Sequence, residues 1–336
     1  MSRSLSRRDI LKGLGAAGLT PLLSKVGVAL DPPTPFGATL RVAHLTDIHV
    51  MFERNAEAGI RSTFAHLRAL PEQPDLVLFG GDMLHRGMSV SLEEMNKMAS
   101  LFRTILKDEC PYEKAFAIGN HDIWGWFKGM SKASGDEALY GKRFAMDLFG
   151  MEKPYRSFDR GSWHFVILDS VHEAGPTAYR GFLDDAQFEW LEGDLAANKA
   201  KPTLVLTHIP VLQACVLIAD ANPVETGTHL NPHSLVTNNF RVCDLFSRNP
   251  QVKVVLSGHI HFVEDLRMPG PAHICSGAVS GTWWQTPQAA AARPRREGEP
   301  AVPRPLRSTA GYQMLELEAD GSFTTRYVES GWKGVA

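Results

Sequence analysis

Leu40-Arg41-Val42-Ala43-His44-Leu45-Thr46-Asp47-Ile48-His49 is a mostly apolar run of strand length that ends in residues able to bind a metal. The arrangement recurs downstream without the sequence itself repeating. Leu76 to Phe79 leads into Gly80-Gly81-Asp82, and Ala115 to Ile118 into Gly119-Asn120-His121-Asp122. Phe165 to Leu168 leads into Asp169-Ser170, and Leu204 to Leu206 into Thr207-His208. Val252 to Leu256 leads into Ser257-Gly258-His259-Ile260-His261. Continuous apolar runs of this length read as strands buried on both faces.

Helical patterns separate several of these runs. Residues 57–70 carry apolar side chains at helical spacing, and 91–107 opens with the capping pair Ser91 and Glu94. Residues 136–149, 184–199 and 238–247 read as further helices. Strands alternating with helices predict an α/β layered fold, in which ligands collect beyond the carboxyl ends of the strands. The tail differs: 312–319 and 322–328 alternate apolar and polar around Asp320-Gly321, the pattern of a hairpin. With the apolar stretch 273–279, this predicts a layered two-sheet β-sandwich flanked by helices. Residues 285–308 are rich in Pro, Ala and Arg without a period and read as a mobile surface loop.

The 336 residues carry a net charge of −2, with 44% hydrophobic and 21% charged residues. That composition excludes a disordered, collagen-like or disulfide-stapled chain. Near-neutral charge supplies no broad field for nucleic acid or an anionic membrane, so no specific nucleic-acid partner is expected. Cys110, Cys215, Cys243 and Cys275 are far apart, and their mostly apolar neighbours predict free thiols. Residues 1–29 carry Ser6-Arg7-Arg8-Asp9-Ile10-Leu11-Lys12 near their start, continue Gly- and Ala-rich, and end in small residues at Ala29. This resembles a twin-arginine export signal. It implies the export machinery as a partner, a periplasmic or otherwise exported location, and no membrane span unless the signal is retained.

The ordered set Asp47-x-His49, Gly81-Asp82, Gly119-Asn120-His121-Asp122, His208 and Gly258-His259-x-His261 resembles the calcineurin-like metallophosphoesterases over residues 40–265. The resemblance implies that one metal takes Asp47, His49 and His261, and a second takes Asn120, His208 and His259. Asp82 would bridge them, its two oxygens shared. The implied organisation is a metallophosphoesterase domain over 38–270, with 271–336 supplying strands that complete or cap it. Residues i and i+2 of an extended segment face one side, which would let each D-x-H or H-x-H pair converge.

The implied reaction is hydrolysis of a small phosphoester by a hydroxide that the two metals activate. Two divalent ions against Asp47, Asp82 and that hydroxide leave a charge of about +1, able to attract a phosphoryl group. His121 is the implied general acid for the leaving alkoxide, with Asp122 orienting its ring. Mixed nitrogen and oxygen ligands fit Mn, Fe or Zn, as divalent or mixed-valence ions, better than Ca. Purple acid phosphatases carry a metal-binding Tyr three residues beyond the bridging Asp. Here His85 stands there, which disfavours that iron subclass and leans the reading toward phosphodiesters such as cyclic nucleotides. A phosphomonoesterase with the same site is the nearest alternative, and a non-catalytic metal- or phosphate-binding module the alternative from another class.

Other residues are less decisive. His44 reads as a core residue and Asp169 as a structural hydrogen-bonder. His229 and His233 lie in a polar loop that would overhang the site. Trp283 and Trp284 suit either stacking on a nucleobase or packing under a loop.

Overall fold

The computed structural model describes residues 39–219, 221–224, 227–292 and 307–336. The signal expected over 1–29 and most of the Arg-rich segment lie outside them. Two sheets face each other. The first is built from β1 (Leu40–Leu45), β2 (Leu76–Phe79) and β3 (Glu113–Phe116). The second contains β4 (Arg156–Arg160), β5 (Trp163–Ile167), β8 (Thr203–Leu206), β11 (Val252–Ser257), β12 (Val263–Leu266) and β13 (Ala272–Ser276). Hairpins β6 (Val171–Gly175) with β7 (Ala178–Gly181), and β9 (Ala221–Val224) with β10 (Gly227–Leu230), stand apart. The tail hairpin, β14 (Gly311–Leu317) and β15 (Phe323–Glu329), joins the first sheet.

The first sheet runs β15-β14-β1-β2-β3, and the second β12-β13-β11-β8-β5-β4. β1, β2 and β3 are parallel, with Val42 opposite Leu76 and Leu76 opposite Glu113, whereas β14 pairs β1 antiparallel. β5, β8, β11 and β13 are parallel in the second sheet. Both groups of parallel strands therefore end on ligand-bearing loops.

Strand periodicity sorts the apolar side chains into layers. Val42, Leu78, Phe165, Leu206, Leu256 and Leu315 fill the space between the sheets. Trp163 Nε1 donates to the Glu318 carbonyl at 2.8 Å, tying the second sheet to the tail hairpin of the first. Alternate residues such as Leu45 and Phe79 pack outward under α1 (Ala56–Arg68) and α2 (Leu92–Glu109). Val205 and Val255 do so under α5 (Asp185–Ala197) and α7 (Asn239–Ser247). Each such buried side chain contributes roughly 1.5–3 kcal/mol relative to exposure.

Some expectations need correction. The helix read over 136–149 divides: α3 (Lys128–Ser131) precedes it, and only α4 (Lys142–Phe149) forms within it. Glu137 accepts from the Ser134 and Gly135 N–H groups, and Gly141 sits at φ 70°, which together hold 134–141 as a turn. The stretch read as loop carries α8 (Pro287–Ala292), with α6 (Val216–Ala219) the remaining helix of the described residues. The hairpin β6–β7, in which only Val171 and Gly181 are buried, has no apolar pattern to announce it. All four cysteines are free. Among the described residues no helix is long and apolar enough to cross a membrane.

Candidate metal centre

Where the parallel strands stop, the backbone turns left-handed. Asp47, His49, Asp82, His259 and His261 adopt φ of 55°, 50°, 57°, 70° and 59°. Such a conformation costs a non-glycine residue of order 1–3 kcal/mol and persists only where the surroundings enforce it. It replaces the extended geometry expected for the i, i+2 pairs: β1 stops at Leu45, and left-handed turns, not strand pleat, bring Asp47 with His49 and His259 with His261 together. Backbone bonds lock the turns, the Asp47 N–H donating to the Gly81 carbonyl and the His49 N–H to the Asp82 carbonyl, each at 3.0 Å.

Three groups of candidate ligands result: Asp47, His49 and His261; Asp82, His208 and His259; and, sharing His49 with the first, His49, His85 and His121. In the first, His49 Nε2 and His261 Nε2 lie 3.1 Å apart, and Asp47 Oδ1 lies 3.2 Å from His261 Nε2. Nitrogens about 2.0–2.1 Å from one tetrahedral cation are roughly 3.3 Å apart, so this spacing fits a shared ion. In the second, His208 Nε2 lies 3.3 Å from Asp82 Oδ2 and 3.2 Å from the Asn120 Oδ1. Asn120 thus joins the group from the end of β3.

The bonding around Asp47, His208 and His261 leaves one ligand atom of each facing inward. Asp47 Oδ2 accepts from the Thr46 hydroxyl at 2.6 Å and the His259 N–H at 2.9 Å, while Oδ1 is buried with no hydrogen-bond partner. An orphaned carboxylate oxygen among imidazoles is costly unless a cation takes it. His261 Nδ1 contacts the Gly281 carbonyl at 2.7 Å and His208 Nδ1 the Gly80 carbonyl at 2.9 Å. Each Nδ1–H donates there, which directs Nε2 inward as the ligand atom.

Asp82 departs from the expected role in detail. Its Oδ1 accepts the His121 N–H at 2.7 Å, so Oδ2 alone faces both groups, 3.3 Å from His208 Nε2 and 3.8 Å from His49 Nε2. A bridging role would fall to that one oxygen. Burial opposes charge on Asp82, yet His208 and His121 outweigh it and hold the carboxyl well below the usual range. His208 is buried too, and Asp82 raises it to about 9 despite that. Gly119 and Gly258 make the close approach possible: a Cβ on Gly119 would strike Asp82, and one on Gly258 would strike Thr46 and Asp47.

Asp122 does not orient the His121 ring. Its carboxylate accepts from the backbone N–H groups of Asp82, Leu84 and Gly119 at 2.8, 2.9 and 2.9 Å. Burial and then the Asp82 charge push it up to about 7. The His121 ring is set instead by the Arg86 N–H, which donates to Nδ1 at 2.7 Å. The neutral ring therefore carries its proton on Nε2, 4.0 Å from Asp82 Oδ2.

The secondary candidates separate. His85 meets His49 at 3.5 Å between Nδ1 atoms and lies parallel to His121. His44 spans the two sheets through Ser276 Oγ at 2.7 Å, and burial pushes it down to about 3. Asp169 is outside the centre, paired with Lys142 at 2.5 Å. Trp283 stacks on His261 with centroids 4.3 Å apart, whereas Trp284 is buried and donates to the Ile48 and His49 carbonyls. The two tryptophans thus divide stacking and packing between them. His233 and Tyr179 come near His259, Tyr179 with ring centroids 6.2 Å away. Tyr179 and Arg86 were not singled out by the sequence, since neither belongs to a ligand motif. The His229 side chain lies outside the described residues.

A sequence profile of the calcineurin-like phosphoesterase family matches residues 40–263, and the chain belongs to that family. It is a hydrolase of phosphoester bonds that works with two metal ions. The chain is 25% identical over 297 residues to a 3′,5′-cyclic-nucleotide phosphodiesterase of Nostoc sp., covering 85% of this chain and 91% of that one. It is also 25% identical over 306 residues to a 3′,5′-cyclic adenosine monophosphate phosphodiesterase of Escherichia coli, covering 88% and 92%. In fold it is similar to a dimetal phosphatase from Danio rerio, with a TM-score of 0.57 at 16% identity, covering 86% of this chain and 97% of that one.

Proposed function

We propose that this hydrolase cleaves phosphodiesters, 3′,5′-cyclic nucleotides among them. The single Asp82 oxygen facing two ligand groups at once carries the two-metal hydrolysis on which the reading rests. The names and near-full coverage of the relatives from Nostoc and Escherichia coli support the choice of substrate. Asp47, His49 and His261 would hold one ion, and Asn120, His208 and His259 the other, with Asp82 between them. Mn, Fe or Zn suits these donors. Such a pair of ions supplies a water of lowered pKa and clamps the phosphoryl oxygens.

The chain's own residues do the rest. His121 presents its Nε2 proton toward the leaving oxygen, its ring held by the Arg86 N–H. Asp122 holds the backbone at Asp82, Leu84 and Gly119, and so positions Asp82. The start of the chain, Arg7-Arg8 with Leu11 and Lys12, supports export by the twin-arginine route to the periplasm.

The test is hydrolysis of 3′,5′-cyclic AMP, bis(4-nitrophenyl) phosphate and 5′-AMP by metal-loaded protein. Turnover of the two diesters above the monoester is expected. Preference for 5′-AMP would replace the diester reading with a phosphomonoesterase at the same centre.

A further inference from the structure

Beside the metal centre lies a second cavity of about 260 Å³, lined in part by Phe52, Glu53, Arg54, His85, Arg86 and Glu94. It shares a wall with the centre. The His85 ring lies 11° from parallel to His121 at 5.4 Å, and edge-on to His49 at 5.4 Å. Both arginines are tied to that wall. Arg86 gives its N–H to His121, and Arg54 Nη1 donates at 3.0 Å to the carbonyl of Trp283, whose ring stacks on His261.

Among the described residues, neither guanidinium forms an ion pair, and neither do Glu53 and Glu94. Phe52 is 57% exposed, although it directly follows the buried Met51. An open aromatic face, two carboxylates without a cationic partner and two guanidiniums without a carboxylate partner, around one small cavity, form a recognition surface. The volume is slightly below the ~300 Å³ typical of the smallest ligand pockets, and suits a planar base with part of a sugar.

We propose that this cavity is a nucleoside subsite. The base of the substrate stacks on Phe52, Glu53 and Glu94 accept from its exocyclic amine, and Arg54 and Arg86 donate to the sugar and phosphate oxygens. This rests on the phosphodiesterase reading and names the part of the substrate that the metal centre does not touch. Phe52, Arg54 and Arg86 then determine specificity, while the chemistry stays with the centre.

The experiment compares kcat and KM of the metal-loaded full chain, Phe52→Ala and Phe52→Trp on 3′,5′-cyclic AMP and on bis(4-nitrophenyl) phosphate. Phe52→Ala is expected to raise KM for cyclic AMP roughly tenfold with little change in kcat, as loss of one stacked base predicts. The ratio of kcat/KM for cyclic AMP over the aryl diester falls with it, and Phe52→Trp restores the ratio. A parallel loss on both substrates, or an unchanged KM for cyclic AMP, overturns the subsite and leaves the phosphodiesterase reading standing. A wild-type chain that cleaves the aryl diester but no cyclic nucleotide overturns both.

Discussion

The backbone N–H of Arg86 donates to Nδ1 of His121 at 2.7 Å, so a main-chain group fixes which nitrogen of that ring bears the proton. The His121 side chain keeps about a quarter of its surface open, 26%, whereas the ligand imidazoles of His49, His208 and His261 are buried. Of these four rings it is the one that a substrate can reach; His259 is the ligand imidazole that is also only half-buried. His121→Asn is therefore expected to lower kcat by roughly 10²–10⁴, the range for loss of a proton-transfer group, with the metal content unchanged. Steady-state kinetics alongside metal analysis checks it; undiminished turnover with metals bound would remove His121 from the chemistry.

Asp122 predicts a different pattern. Asp122→Asn keeps the size but turns an acceptor toward backbone N–H groups into a donor at one position. The expected loss is about 1–3 kcal/mol of stability for a buried donor left without a partner. Metal content and activity should fall together, because the Asp82 backbone loosens. Thermal unfolding and metal analysis on the same sample separate this from His121→Asn, where activity falls alone.

How much of this was legible in the sequence depends on what each residue's role is made of. Val42, Leu78, Val205 and Leu256 announce buried strands because two covered faces leave no room for polar residues. The ligands at the ends of those strands were readable for the same reason, being polar residues where the apolar runs stop. The left-handed backbone at Asp47, His49, Asp82, His259 and His261 was not, since Asp and His only tolerate that conformation more readily than other residues and do not demand it. Asp122 was misread because its partners are N–H groups of Asp82 and Leu84, 40 and 38 residues away, which carry no residue-type signal. The hairpin β6–β7 that brings Tyr179 to His259 buries only Val171 and Gly181, so no alternation marks it.

Gly119 tests how tightly the centre is packed. In Gly119→Ala the new Cβ meets the Asp82 backbone nitrogen and carboxylate, and backbone cannot yield as a flexible side chain can. Overpacking of this kind costs about 1–3 kcal/mol. The expected result is a folded chain with lower metal affinity, measured by titration of the metal-free protein against its metal. Wild-type affinity would show that Asp82 has more freedom than its bonds indicate.

His164 supplies a pH prediction away from the centre. Burial opposes its charge, but hydrogen bonds to Asp194 at 2.8 Å and Asp159 at 2.7 Å outweigh that and raise its pKa above the ordinary 6.5. A pKa higher in the folded than in the unfolded chain gives stability that is full below 6.5 and lost as pH rises through the folded value. His164→Gln is expected to lose about 1 kcal/mol at acidic pH and less at alkaline pH. Denaturant midpoints across that range read the difference; a loss that grew with pH would contradict the charged pairing of β5 with β4 and α5.

The central claim is that two groups of ligands, joined through one oxygen of Asp82, grip two ions. Metal content per chain, measured by mass spectrometry on the purified wild type, Asp47→Asn and Asp82→Ala, tests it most directly. The account predicts about two equivalents in the wild type, about one in Asp47→Asn, and a loss of both in Asp82→Ala. A wild type that binds one ion or none when metal is supplied, or variants that hold as much metal as the wild type, would contradict it.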